Sequence, residues 1–156
     1  MGNLKIPPGK EKCVRALANE RIVFSGSRTS TLCLLNPSKR SVKKVQVDGC
    51  AITDSSCCDW AAEVDDDVSH EELFIELKGS HITKAVKQIA ATIVRLSSHP
   101  AQTKKRCLVV FKKDTVTNRW FQQQQRSFQQ NYKADLRRLK NGASHSLEDQ
   151  PHSPVG

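Results

Sequence analysis

The stretch Leu73-Phe74-Ile75-Glu76-Leu77-Lys78-Gly79 combines the pattern of a half-buried strand with two charged side chains at its end. Side chains alternate between the faces of a strand, so Glu76 and Lys78 point to one face and the flanking apolar residues to the other. Gly79 ends the strand, and an amphipathic helix is predicted after it. Ligand and catalytic sites favour strand ends of this kind.

A second apolar run, residues 58–64, precedes this strand and is joined to it by the acidic loop 65–70. Its Asp59, between a Cys and a Trp, is expected to be partly buried and therefore to need a partner. A magnesium ion shared by Asp59 and Glu76 would be such a partner, because magnesium prefers oxygen ligands. Lys78 would then lie close enough to hold or deprotonate a water on that metal. The alternative is an exposed Glu–Lys pair on an edge strand, with Asp59 at the surface.

The pattern Asp59…Glu76-Leu77-Lys78 resembles the signature of the PD-(D/E)XK, or restriction-endonuclease-like, nuclease superfamily, with a Cys in place of the Pro before the Asp. The resemblance covers about residues 8–112. It implies an α/β fold with an αβββαβ core, in which helices flank a mixed central sheet. It also implies Asp59 and Glu76 as metal ligands, the Leu77 carbonyl as a further ligand, and Lys78 as the base. The implied activity is that of a Mg²⁺- or Mn²⁺-dependent endonuclease that hydrolyses nucleic acid, DNA rather than RNA, through a metal-activated water.

Two further residues are candidates through the same resemblance. The superfamily often carries a Glu on its first helix that points into the site, and Glu20 is the best match, with Glu11 second. RecB-like members carry a Gln on the helix after the Glu-x-Lys strand, and Gln88 is correctly placed for it. Those enzymes have a Tyr four residues later, where this chain has Thr92. The alternatives are a solvated carboxylate for Glu20 and a surface side chain for Gln88.

The coarse order of elements is helix, strands, helix, strand, helix. A loose arm (residues 1–9) leads to a helix from about Pro8 to Glu20, and short strands are predicted over 31–35, 42–47, 58–64, 73–78 and 107–111. Ser80 is a plausible N-cap for a helix with its apolar positions at Ile82, Val86, Ile89, Ile93 and Leu96. A second long helix is predicted over about 118–140, ended by Gly142. Residues 1–142 are expected to form one domain, and 143–156 a disordered tail.

The net charge of +9 over 156 residues is unevenly distributed. Residues 51–103 carry nine Asp or Glu against four Lys or Arg, and strongly basic segments flank them. Basic flanks of this kind fit a polyanion such as nucleic acid. The predicted C-terminal helix is an expected nucleic-acid-binding surface because of its cations: Arg119, Arg126, Lys133, Arg137, Arg138 and Lys140. The alternative is a helix with an ordinary polar outer face.

No apolar run is long enough to cross a membrane, and the N-terminal residues lack the apolar core of a signal peptide. The expected location is the cytoplasm, with no membrane partner and with the six cysteines as reduced thiols. Two other functions stay open. One is a structure-specific endonuclease similar to Holliday-junction resolvases, and the other is a catalytically silent module that binds nucleic acid or a protein partner. A homodimer is plausible, because one active site cuts one strand.

Overall fold

The computed structural model describes residues 4–26, 30–66, 69–77 and 79–149. The described residues form nine strands and two α-helices. The strands are β1 (Val14–Leu17), β2 (Arg21–Ser25), β3 (Thr31–Leu35), β4 (Ser41–Gln46), β5 (Trp60–Asp65), β6 (His70–Leu77), β7 (Lys105–Phe111), β8 (Ala134–Lys140) and β9 (Ser144–Ser146). The helices are α1 (Ile82–Leu96) and α2 (Asn118–Tyr132).

Six strands form a mixed sheet in the order β1-β4-β5-β6-β7-β8. The pairs β1/β4, β4/β5 and β5/β6 are antiparallel, whereas β6/β7 and β7/β8 are parallel. Each parallel step is a crossover through a helix, α1 before β7 and α2 before β8. The other three strands form a small sheet in the order β2-β3-β9. The chain is therefore an α/β protein with a mixed sheet, as the sequence predicted.

The large sheet is covered on both faces. One face packs against the two helices, which bury a stripe from α1 that includes Ile82, Val86, Ile89 and Ile93 and two aromatic residues of α2, Phe121 and Phe128. The opposite face packs against the small sheet through Leu73, Ile75 and Leu77 of β6. Because both faces are covered, β6 is buried from its second residue to its last. The charged residues in that strand are therefore held inside the protein.

The predicted first helix is wrong. A single 3₁₀ turn at Glu11–Cys13 is followed by β1, which pairs with β4 at the edge of the large sheet. Cys13, Ala16 and Leu17 do fall at helical spacing, but pairing with a strand distant in sequence overrides this local pattern. As a result Glu20 lies in the turn between β1 and β2.

The predicted second long helix is correct only as far as Tyr132. Lys133 has a left-handed backbone (φ 54°) and ends α2, and residues 134–140 form β8 beside β7. The prediction of a disordered tail fails for residues 144–146, which form β9 parallel to β3. The helix after Gly79 is confirmed as α1, although its N-cap is His81 in place of Ser80.

The prediction that all six cysteines are reduced is also wrong. Cys13 and Cys50 form a disulfide, while Cys33, Cys57, Cys58 and Cys107 are free thiols. The bond ties the start of β1 to the turn after β4. Neither helix among the described residues is long and apolar enough to span a membrane.

Candidate functional site

Asp59 and Glu76 lie directly opposite each other at one end of the β5/β6 pair. The antiparallel register joins Trp60 to Ile75, and one step further places Asp59 across from Glu76. Residues opposite each other in an antiparallel pair project their side chains to the same face. That face is the one covered by α1, because it is also the face of Phe74. The two carboxylates therefore lie side by side on one face of the sheet.

A reciprocal pair of hydrogen bonds fixes the two carboxylates. The Asp59 N–H donates to Glu76 Oε1 at 2.8 Å, and the Leu77 N–H donates to Asp59 Oδ2 at 2.9 Å. Each side chain is therefore held by the backbone of the opposite strand. Glu76 is almost completely buried, and Asp59 is half-buried. Backbone N–H donors favour the ionised form of a carboxylate, whereas burial and a neighbouring carboxylate oppose it.

Helix α1 positions the chain just before Asp59. The Cys58 N–H donates to Thr92 Oγ1 at 2.8 Å, and that hydroxyl donates to the Gln88 carbonyl at 2.8 Å. Thr92 is fully buried, so this contact is shielded from water. The sequence 58–59 is consequently held between α1 on one side and β6 on the other.

A cavity of about 490 Å³ opens beside the acid pair. Its polar lining includes Gln46, Asp48, Asp59, Glu76 and Lys112. The hairpin formed by β2 and β3 forms one wall, and the Trp60 Nε1–H ties that wall to the sheet by donating to the Ser25 carbonyl at 2.9 Å. The site thus has a carboxylate pair on its floor and a cationic residue at its rim.

Asp48 is a cavity carboxylate that the sequence interpretation did not select. It follows β4, and its N–H lies 3.4 Å from the Asp59 carbonyl. Its position directly after a predicted strand and before Gly49 was the available signal, because strand ends collect functional residues. A third carboxylate therefore faces the same space as Asp59 and Glu76.

Two buried thiols adjoin the site, and both are protonated at neutral pH. Burial, then the Asp48 carboxylate, and then Glu76 and Asp59 raise the pKa of the Cys57 thiol to about 11. Burial above all also raises the pKa of Cys58. A thiolate is the reactive form of cysteine, so neither residue is suited to act as a nucleophile here.

The other residues predicted for the site divide into three groups. Lys78 lies outside the described residues. Leu77 ends β6 and lines the cavity, while Gln88 lies one turn of α1 before Thr92 and does not line it. Glu20 lines a separate surface pocket and pairs with Lys39 at 3.8 Å, with both side chains about two-thirds exposed. The structure therefore brings together Asp59, Glu76 and Leu77, and leaves Glu20 apart.

The predicted nucleic-acid-binding cations do not share one helix. Arg119 and Arg126 are on α2, Lys133 follows it, and three others are on β8: Arg137, Arg138 and Lys140. The guanidinium groups of Arg137 and Arg138 have structural partners. Arg137 pairs with Asp135 at 2.9 Å, and Arg138 pairs with Asp114 at 3.2 Å and stacks over the Phe121 ring at 4.7 Å.

A larger cavity of about 700 Å³ lies near the start of β6. Its charged groups pair with one another: Arg40 with Asp66 at 3.2 Å, and Arg106 with Glu71 at 3.1 Å. These contacts link β6, β7 and the loop after β3, so this cavity has the character of a structural ion-pair network. The smaller cavity, with carboxylates on its floor, is the better candidate for chemistry.

Within the described part of the chain, no group of three or more His, Cys, Asp or Glu side chains is arranged to hold a metal ion. Comparisons of the chain with protein-family models, with curated proteins and with solved structures found no match.

Proposed function

We propose that this protein is a metal-dependent nuclease that hydrolyses phosphodiester bonds of nucleic acid, with Asp59 and Glu76 as ligands of a divalent metal ion. The observation that carries the proposal is the reciprocal hydrogen bonding of the two carboxylates across β5 and β6. It puts two buried or half-buried acids next to each other at the edge of a cavity. Such a pair is costly in a protein unless a cation or donors compensate it.

The order of elements around the pair supports the restriction-endonuclease-like resemblance. Three antiparallel strands (β4, β5, β6) are followed by α1 and then by β7, parallel to β6. This is the βββαβ part of the core that the resemblance implies, with the Asp before the second strand and the Glu at the end of the third. The helix that should precede these strands is replaced by a 3₁₀ turn and β1.

The donor set suits magnesium or manganese, because it consists of carboxylate oxygens and the Leu77 carbonyl at the strand end. Each carboxylate has about four lone-pair positions, so a single backbone hydrogen bond does not by itself exhaust the acceptor capacity of either group. Magnesium usually takes only one or two carboxylates and keeps several waters, which fits a site without a larger ligand cluster. When bound, the cation would neutralise charge on a substrate phosphate and lower the pKa of a coordinated water.

The chain's own residues have distinct roles in this proposal. The N–H groups of Asp59 and Leu77 hold the carboxylates in place, so no reorganisation is required when a substrate arrives. Lys112, at the rim of the same cavity, would contact a substrate phosphate. Lys78 follows Leu77 in the sequence, and we assign it, from the sequence alone, to hold the attacking water or accept its proton.

A catalytically silent binding module is the second candidate. It is favoured by the finding that the described residues contain no arranged group of three metal-binding side chains. In such a module the acid pair would serve only the packing of the strand ends. The two functions differ in one measurable respect, which is whether a bound nucleic acid is cut.

The test is cleavage of labelled single-stranded and duplex DNA in Mg²⁺, Mn²⁺ or EDTA. We expect cleavage by the wild type with either metal and none in EDTA. Asp59→Asn and Glu76→Gln should each reduce the rate by at least about a hundredfold, since removing one such electrostatic group commonly has this effect. Glu20→Gln is the matched control and should keep the full rate. Cleavage that survives Glu76→Gln would refute the assignment, and binding without cleavage under every metal would favour the module.

A further inference from the structure

Two cations lie opposite each other at the edge of the large sheet. In the β1/β4 pair, Arg15 is the direct partner of Lys44. Like charges in directly opposed positions destabilise a strand pair. Arg15 is exposed on the edge strand, and no acidic partner of either residue is found among the described side chains. The pair concentrates positive charge at the sheet edge without a compensating carboxylate among the described side chains.

Lys44 is held in a fixed position. Its ammonium group donates to the Val23 carbonyl at 2.6 Å and lies over two aromatic rings, 4.8 Å from the centre of Phe24 and 4.5 Å from that of Trp60. Burial, and secondarily the charge of Arg15, lower the pKa of Lys44. An ammonium has three N–H donors, so one contact to a carbonyl leaves capacity for an anion. A fixed cation loses little entropy when it binds one.

The two cations adjoin the candidate active site. Two positions further along β4, Gln46 pairs with Trp60 of β5, and both residues line the cavity that contains Asp59 and Glu76. Lys44 is two residues before Gln46, which corresponds to about 7 Å along a strand. Arg15, Lys44 and Gln46 thus form a polar path on the face of the sheet that the small sheet covers. Asp59 and Glu76 project to the α1 face, and the path meets them only at the strand ends, where Gln46 and both acids line the same cavity. We call these three residues the basic path.

The cavity also constrains the form of the ligand. A Cβ added to Gly26 would lie only 2.8 Å from the Leu77 Cβ, so the end of β2 is seated directly on the strand that carries Glu76. The hairpin therefore closes one side of the site. The remaining volume, about 490 Å³, is in the range of pockets for small molecules. It suits one nucleotide unit of a single strand better than the stacked pairs of a duplex.

We propose that the basic path binds backbone phosphates of a single-stranded DNA segment and directs it towards Asp59 and Glu76. This inference rests on the proposed nuclease function and names its substrate form. The main phosphate contact is then made at the β1 edge of the large sheet, opposite the β8 edge that carries the C-terminal basic residues. Arg15 and Lys44 are binding residues here, and neither takes part in the chemistry.

The experiment measures binding of a fluorescein-labelled oligothymidylate by fluorescence anisotropy in EDTA, so that cleavage cannot interfere. The variants are Arg15→Gln, Lys44→Met and their combination. Met keeps the apolar stem of Lys44 against the two rings and removes the charge together with the hydrogen bond to the Val23 carbonyl. We expect the double variant to bind at least about tenfold more weakly, and its log K against log salt slope to fall by about 1.4, or 0.7 per lost phosphate contact.

Lys43→Gln is the matched control, because Lys43 is the exposed neighbour of Lys44 and points away from the small-sheet face on which Arg15 and Lys44 lie, nearer the end of β4 opposite the cavity. It should change the affinity less than twofold, and a melting curve of each variant verifies folding. The proposal is overturned if the wild type fails to bind the single strand or prefers a duplex of equal length. It is also overturned if the double variant binds like the wild type, or if Lys43→Gln is equally damaging.

Failure of the nuclease function would appear differently. In that case no metal supports cleavage, yet binding still depends on Arg15 and Lys44. Conversely, cleavage that is lost in Glu76→Gln but unaffected by the double variant would leave the nuclease intact and remove the basic path.

Discussion

His145 is a buried histidine whose neutral form the structure requires. Its Nε2 atom accepts a hydrogen bond from Arg106 Nη1 at 3.2 Å, and only 3% of its surface is exposed. Burial, and then the positive charges of Arg106 and Arg137, lower the pKa of His145 to about 4. Protonation would remove the acceptor and place a second cation against the guanidinium.

This geometry predicts a pH-dependent stability. Between pH of about 4 and 6.5, the unfolded chain binds a proton at His145 and the folded chain does not, so the free energy of unfolding rises with pH across that window. The contribution is about 3 kcal/mol. Urea unfolding should show a smaller rise in His145→Gln than in the wild type. His99→Gln, at an exposed position, should behave like the wild type. Equal pH dependence in His145→Gln and the wild type would contradict the structure.

Asp59 and Glu76 could be placed together from the sequence, because strand alternation and a short connecting loop restrict their positions. For Asp48 the sequence offered only its position at a strand end, because hydrogen bonds from the Val47 and Asp48 N–H groups to the Asp59 carbonyl are what bring its turn beside Asp59. Glu20 was misplaced because its role depended on a helix that does not form. The pair is thus predictable from local pattern, whereas the rest of the site depends on contacts between distant segments.

Among the secondary-structure elements, a disulfide stabilises the N-terminal edge of the large sheet. Cys13 and Cys50 are separated by 37 residues, so their bond constrains a long loop in the unfolded chain. A loop of this length corresponds to about 4 kcal/mol in the chain-entropy description, and measured effects range from about 2 to 5. The bond also anchors the turn that follows Asp48, and so links one wall of the cavity to β1.

Cys13→Ser is therefore expected to lower the free energy of unfolding by about 2–4 kcal/mol. Urea denaturation without reductant measures this effect, and Cys33→Ser serves as the control because Cys33 is a free, half-buried thiol. Thiol titration of the denatured, unreduced wild type should find four free groups. Six reactive thiols, or a Cys13→Ser variant as stable as the wild type, would disagree with this pairing.

The end of α2 shows why elements are harder to predict than single residues. Phe128, Tyr132, Leu136 and Leu139 are at helical spacing, which suggested one helix to residue 140. Lys133 instead adopts a left-handed backbone, and the following residues pair with β7. The apolar Leu136 is buried in either arrangement, so hydrophobic period alone could not decide between them. Pairing with β7, which the sequence does not encode locally, determines that residues 134–140 form a strand.

At the scale of the whole molecule, the charge distribution and the fold agree. The acidic middle of the sequence becomes the centre of the large sheet, where Glu71, Glu72 and Glu76 are all buried. Glu71 pairs with Arg106, and Glu72 pairs with Lys105; both cations are on β7. These pairs lie at the end of the sheet far from the cavity that contains Asp59. Glu76 instead shares its end of the sheet with Asp59. Our central claim is that this last pair binds a divalent metal ion.

The most direct test is Mn²⁺ binding by the folded protein, measured by isothermal titration calorimetry without nucleic acid. We predict one saturable site in the wild type and in Glu20→Gln, and a loss of at least about tenfold in affinity in both Asp59→Asn and Glu76→Gln. If the wild type binds no Mn²⁺, or if Glu76→Gln binds it as tightly as the wild type, the acid pair is not a metal site and the account is contradicted.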